Sequence, residues 1–199
     1  MALALKDKPP KTMQAKELKR LLWLGLLAEA LIFIFSQFQS KDIGQTFRLF
    51  ARYSGRLSLF FFIGMFLIIS NIWIERRKSG LKVFQSLSLT FAILHFIHLI
   101  YLSINVYLNE IKLIPYRLAG GALGYLFIFI FPIVLRSKKT PAWVDIVYFF
   151  YPLIIFALTI TSRLNGSFEG SAPSPIHYIE LGIILISVLF FIRKQLFAT

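Results

Sequence analysis

VFQSLSLTFAILHFIHLIYLSINVYL, residues 83–108, carries no Asp, Glu, Lys or Arg. A bilayer core about 30 Å thick takes about 20 apolar residues in a helix, so this run reads as a membrane span. Five further stretches read the same way: residues 21–38, 57–74, 118–135, 143–162 and 176–192. Of the 199 residues 57% are hydrophobic, 22 of them Phe, and the mean hydropathy is +0.72. That balance belongs to the membrane class. The expected architecture is all-α: an integral membrane six-helix bundle over residues 21–195, after a basic N-terminal segment at residues 1–20. No small-residue cleavage site follows a short apolar core near the N-terminus, so residues 21–38 read as a retained helix and not as a removable signal peptide.

The net charge of +13 would suggest nucleic acid in a soluble protein. Here the basic residues crowd at the ends of apolar spans, which points to topology and lipid headgroups, with no nucleic-acid partner. Lys and Arg gather in residues 1–20, 76–82, 136–139 and 193–194. The other side of the expected bundle holds only Lys41, Arg48, Arg52, Arg56, Lys112, Arg117 and Arg163. The positive-inside rule then places both termini in the cytoplasm, as an even number of spans also requires. No cysteine is present, which excludes disulfides, thiolate-ligated haem, Cys-ligated iron–sulfur clusters and covalent haem attachment through CxxCH.

Within the first outer loop, Phe47, Phe50, Tyr53 and Leu57 recur at three and four residues, with Arg48, Arg52 and Arg56 on another face. The pattern suits a short helix at the membrane interface ahead of the second span, or an ordinary polar loop. Residues 165–175 are rich in Gly, Ser and Pro and read as a flexible loop. Pro132 and Pro152 are expected to kink the fourth and fifth spans. Gly120 and Gly124 form a small-xxx-small spacing that permits close approach of a neighbouring backbone or of a flat cofactor. No internal repeat or pair of broken helices marks a transporter site. No dinucleotide fingerprint, P-loop, HExxH or nucleophile elbow is present, so any flavin or nicotinamide would reside on a partner protein.

Ionisable residues inside a span are costly and so mark candidate sites. His95 and His98 lie at the middle of residues 83–108. Three residues apart on a helix, they point about 60° from each other and sit about 4.5 Å apart along the axis. Rings placed so cannot both be axial ligands of one haem. One could ligate while the other bonds a propionate, a water or a carbonyl; otherwise both rings bond neighbouring helices. Glu29 is the most deeply placed acid, to be neutral if it faces lipid and able to be charged if it faces a ring or an Arg. Asp145, Glu180 and His177 lie nearer span ends, where water is expected to reach them.

Three segments resemble the ferric-reductase-like transmembrane family. They are Tyr53-Ser54-Gly55-Arg56-Leu57-Ser58-Leu59 leading into the second span, Arg76-Arg77-Lys78-Ser79-Gly80-Leu81 before the third, and Phe91-Ala92-Ile93-Leu94-His95 within it. Their order and spacing are similar to those of the short haem-binding membrane subunits of periplasmic methionine-sulfoxide reductase systems, over roughly residues 40–195. The resemblance implies residence in a bacterial inner membrane and b-type haem clamped by histidines of the third and fifth helices. It also implies electron transfer across the membrane from a separate flavin or quinol donor to a redox partner protein. His95 then falls on the third-helix ligand, with His98, Glu29, Arg56, Arg77 and His177 as supporting residues.

The fifth span departs from that pattern. Four residues after Trp143 stands Val147, and at the second ligand position stand Ile160 and Thr161; Tyr148 and Tyr151 are the nearest side chains with a ligand atom. Three expectations follow. One is a haem b electron-transfer subunit held by His95, with His98, His177 or no second ligand. Another is a haem-free relative acting as a membrane scaffold or binding subunit. The third is a six-helix frame that holds a different small apolar ligand.

Overall fold

A computed structural model of the chain describes residues 15–72, 81–137, 142–167 and 173–196. Among them there is no strand. Six helices follow one another: α1 (Ala15–Gln39), α2 (Ile43–Ile72), α3 (Leu81–Leu108), α4 (Pro115–Ser137), α5 (Ala142–Leu164) and α6 (Pro175–Leu196). All but α4 contain a stretch long and apolar enough to cross a membrane, and the apolar part of α4, Leu118–Val134, is shorter. Their outward faces carry large apolar side chains such as Trp23, Phe38, Ile133 and Ile186, each more than two-thirds exposed. A soluble monomer does not show apolar surface on this scale, whereas a multi-pass membrane protein must.

The largest departure from the sequence reading is in α2. No separate interfacial helix precedes the second span; one 30-residue helix runs from Ile43 through it. Its start is fixed by a capping arrangement. The Asp42 carboxylate accepts the Gln45 N–H at 2.7 Å, and the Gln45 side chain accepts the Lys41 N–H at 3.0 Å. The apolar face expected to lie against lipid packs on protein instead. Phe50 is 5.3 Å from Phe33 of α1 and 3.8 Å from Tyr101 of α3, centroid to centroid.

Helix ends on the same side are closed by local bonds. After α3, Ile111 N–H bonds the Val106 carbonyl and Glu110 N–H that of Tyr107, with Glu110 at φ 48°. After α5, Ser167 N–H bonds the Ser162 carbonyl and Gly166 N–H that of Arg163, with Gly166 at φ 66°. Both are Schellman closures, and the second explains why α5 stops at Asn165-Gly166.

Helices α2 to α6 form a closed ring in which α2 packs on α3 and α6, α3 on α4, α4 on α5 and α5 on α6. α1 lies outside it, against α2 and α3. Gly25 permits that contact, since a Cβ there would sit 2.7 Å from Leu94 Cδ1. One end of the ring is filled with aromatic side chains. Phe66 and Phe84 bracket Phe149 at 5.5 and 5.3 Å, and Phe131 stacks on Tyr148 at 3.9 Å. Lipid tails are as apolar as these rings, so the gain comes from close packing, with about 0.5–1.5 kcal/mol per well-oriented pair. The other end of the ring is hollow.

Candidate functional site: a cationic cavity at one end of the ring

The hollow end holds a cavity of about 250 Å³ bounded by side chains from α2 to α6 and by Ile111 of the α3–α4 connection. Helix α2 supplies Arg48, Ala51, Arg52, Gly55, Arg56 and Leu59. These recur at three and four residues and so form one stripe of the helix. The three arginines climb it one turn at a time, roughly 6 Å apart along the axis. Arg163 faces them from the last turn of α5. Thus four of the seven basic residues that the sequence assigns to this side of the membrane turn inward.

Among the described residues, one carboxylate lines the cavity with them. Glu180 of α6 is buried and accepts the Arg56 Nε–H at 2.8 Å, across the α2–α6 seam. Arg48 donates to the Asn109 amide oxygen at 2.8 Å; the Asn109 amide nitrogen donates to the carbonyls of Gly44 and Asn105. This network ties the start of α2 to the end of α3. The charges of Arg48 and Arg56 bear on Arg52. Those of Arg52 and Arg56 bear on Arg163, with Glu180 as the opposing acid.

Below the arginines the lining turns apolar, with Leu59, Ile128, Ile155, Phe156 and Ile160, and here lie His95 and His98. Their ring centroids are 5.3 Å apart, and Nδ1 of each is buried without a hydrogen-bond partner. Gly55 makes room for His98, because a Cβ there would approach its Cε1 to 3.1 Å. Gly121 and Gly124 of α4 thin the opposite wall. Gly124 and Gly120 also let α5 approach closely: Tyr151 lies against Gly124, and its hydroxyl donates to the Gly120 carbonyl at 2.9 Å.

A two-helix haem clamp does not fit these residues. Opposite His95, α5 presents Ile155, Phe156, Thr159 and Ile160 to the cavity, none with a strong ligand atom for haem iron. Tyr151 has its hydroxyl on Gly120, and Tyr148 is wholly buried on Phe131, outside the cavity. The His95 ring is itself stacked between Phe91 at 5.2 Å and Tyr125 at 4.7 Å. The volume also lies below the roughly 300–1,000 Å³ usual for small-molecule sites.

The remaining expected residues fall elsewhere. His177 is not solvated: it is 1% exposed, and neither ring nitrogen has a hydrogen-bond partner. Glu180 and Asp145 are buried too, at 1% and 2%. The Arg56–Glu180 bond holds the N-terminal part of α6 against α2, and His177 and Glu180 are both buried there. Glu29 is turned away from lipid. It is buried at the α1–α2 seam and accepts the Ser54 hydroxyl at 2.8 Å, while its second oxygen is unpartnered. Arg77 lies outside the described residues, as do residues 168–172 of the expected flexible loop after α5. The sequence reading undervalued Arg48, Arg52 and Arg163. The available signal was the small residues Ala51 and Gly55 on the arginine stripe, a composition suited to lining a cavity between helices rather than to lying in headgroups.

No protein-family model, no curated protein and no solved structure matches the chain.

Proposed function

We propose that the chain is a haem-free membrane binding subunit built on a frame similar to the ferric-reductase-like one. In this reading both termini are cytoplasmic, the cavity opens on the far side of a bacterial inner membrane, and the protein catalyses no reaction of its own. The observation that carries the reading is the α5 wall of the cavity. Where the resemblance places imidazoles on α5, this chain has Val147 and, at the second position, Ile160 and Thr161, and Ile160 lines the cavity beside Ile155, Phe156 and Thr159. The topology is supported by the arginine placement. With four arginines turned into the cavity, fewer cations remain as flanking charges on that side, so the contrast with the opposite side sharpens.

A second reading is favoured by His95 itself, which stands where the family's third-helix ligand stands and keeps an unpartnered Nδ1. In it, haem b is held by one imidazole with its propionates toward the arginines, and the protein passes electrons from a separate flavin or quinol donor to a redox partner. A pyridine haemochrome assay on detergent-purified protein from haem-replete cells separates the two. A colourless preparation supports the binding subunit. A Soret band that disappears in His95→Ala overturns it in favour of the haem protein.

A further inference from the structure

We infer that the ligand of the cavity is an uncharged, lipid-soluble carbonyl compound whose oxygen is held between His95 and His98. The inference rests on the binding-subunit reading and names what is bound.

The arginines at the mouth do not call for a charged ligand. Arg56 is bonded to Glu180 and Arg48 to Asn109, and Arg52 and Arg163 are engaged as well. Two polar groups without partners lie deeper, where the lining is apolar. Nδ1 of His95 and Nδ1 of His98 are both buried with no hydrogen-bond partner. An uncharged imidazole has one N–H and one lone pair. With no acceptor at Nδ1, the proton of each ring belongs on Nε2, at the far edge of the ring. Both rings line the cavity, so this edge turns two N–H donors toward it.

The two donors are close and held in place. The His95 ring is stacked between Phe91 and Tyr125, and the His98 ring lies against the space left by Gly55. The ring centroids are 5.3 Å apart. Two N–H···O bonds of about 2.9 Å meeting at one oxygen span up to about 5.8 Å, so one acceptor reaches both rings. A carbonyl oxygen has two lone pairs and no proton of its own to place, and so accepts both bonds. The rest of the ligand meets Leu59, Ile128, Ile155 and Phe156. An alkane fills that lining and leaves both N–H groups unmet, at a cost of about 1–3 kcal/mol for each buried donor. An alcohol accepts the bonds and must also find a partner for its own hydrogen. A carboxylate loses its hydration against an apolar wall. The cavity of about 250 Å³ takes the carbonyl and a short length of chain.

The carbonyl is that of a ketone or of an ester, and the probes separate the two. Full-length protein in detergent is titrated with methyl nonyl ketone, methyl decanoate, methyl nonyl carbinol and undecane. Binding is read by thermal unfolding and by nitrogen NMR of protein labelled at histidine. The chain has three histidines, and His177, outside the lining residues, is the internal reference. A carbonyl probe is expected to move the Nε2 resonances of His95 and His98 to hydrogen-bonded positions and leave His177 in place, while undecane moves none. The tighter carbonyl probe identifies the source. His95→Phe and His98→Leu are each expected to weaken the ketone about fivefold, the value of a lost neutral hydrogen bond, and to leave undecane unaffected.

Gly121→Leu provides a variant that keeps its fold. An added Cβ at Gly121 meets nothing within 4 Å, so the side chain enters the cavity without displacing a helix. Its unfolding temperature without probe should match the parent protein, and its ketone binding should be lost. Carbinol or undecane binding as tightly as the carbonyl probes, ketone affinity unchanged in His95→Phe, or undiminished binding by Gly121→Leu overturns the inference. A colourless protein that binds no carbonyl probe refutes the ligand alone; a His95-dependent Soret band refutes the underlying reading.

Discussion

Glu180→Ala tests whether the ring is held closed by the ion pair across α2 and α6. Arg56 Nε lies 2.8 Å from Glu180 Oε1, with side-chain exposures of 15% and 2%. Removing one partner of a buried pair costs about 3–5 kcal/mol, because the other charge stays desolvated without its counter-charge. Arg56 borders a cavity and keeps some exposure, so the lower end applies, about 3 kcal/mol. The two partners are not equivalent. Glu180 also feels Arg163, so in Arg56→Met the acid keeps a cation nearby. In Glu180→Ala four arginines line the cavity with no acid among the described lining residues. Arg56→Met is therefore expected to cost less than Glu180→Ala. The double variant Arg56→Met/Glu180→Leu should recover most of the loss, since an apolar pair of similar volume replaces the buried charges. Reversible unfolding of delipidated protein in mixed micelles gives the three free energies and their coupling. The reasoning is refuted if Arg56→Met is the more damaging single change, or if the double variant is no more stable than Glu180→Ala.

Four further outcomes are expected. Gly25→Ala places a Cβ 2.7 Å from the buried Leu94 Cδ1, and should destabilise by about 1–3 kcal/mol in the same assay, with Leu94→Ala as a second change relieving the overlap. Glu110→Gly should stabilise by up to about 1 kcal/mol, because Glu110 holds a left-handed φ of 48° that costs an L residue and not glycine. Ser54→Ala should cost about 1–3 kcal/mol by leaving the Glu29 carboxyl with no partner, whereas Glu29→Gln keeps an acceptor oxygen for the Ser54 hydroxyl and should be nearly neutral. The chain lacks cysteine, so single cysteines at Ile111, Asn165 and Lys194 report topology directly. Impermeant thiol reagents should reach the first two from one side of the membrane and the third only from the other.

Sequence and structure part company for definite physical reasons. Span composition was legible because the requirement for about 20 apolar residues is set by the bilayer and not by neighbours; each of the six expected stretches lies largely within a helix. The start of α2 was missed because hydropathy sees no span where Arg48, Arg52 and Arg56 recur, although Asp42 and Gln45 carry a local start signal. Exposure near helix ends was misjudged for His177, Glu180 and Asp145. Position along a span says how near water is in depth, while burial there depends on which face turns to the ring, and that is a tertiary property. His95 and His98 were singled out from depth alone, and both line the cavity. Their companions were not, since Arg163 is 65 positions from His98 in the chain and only closure of the ring brings α5 to face α2.

Ring closure and the cationic cavity are one problem seen from two sides. Arg48, Arg52, Arg56 and Arg163 come together at the hollow end, and at an effective dielectric near 20 a pair of unit charges about 8 Å apart repels by roughly 2 kcal/mol. The same residues sit on the helices that close the ring: Arg56 on α2 meets α6, Arg48 on α2 meets the end of α3, and Arg163 ends α5. The aromatic end has no such conflict and fixes the bundle through Phe66, Phe84, Phe131, Tyr148 and Phe149. The hollow end is therefore the part of the ring that depends on charge pairing, and Glu180→Ala should loosen it while the aromatic end stays packed. Hydrogen exchange that rises around Arg56 and residue 180 and is unchanged around Phe149 is the expected result; equal loosening at both ends refutes the division of the ring into a charge-paired end and an aromatic one.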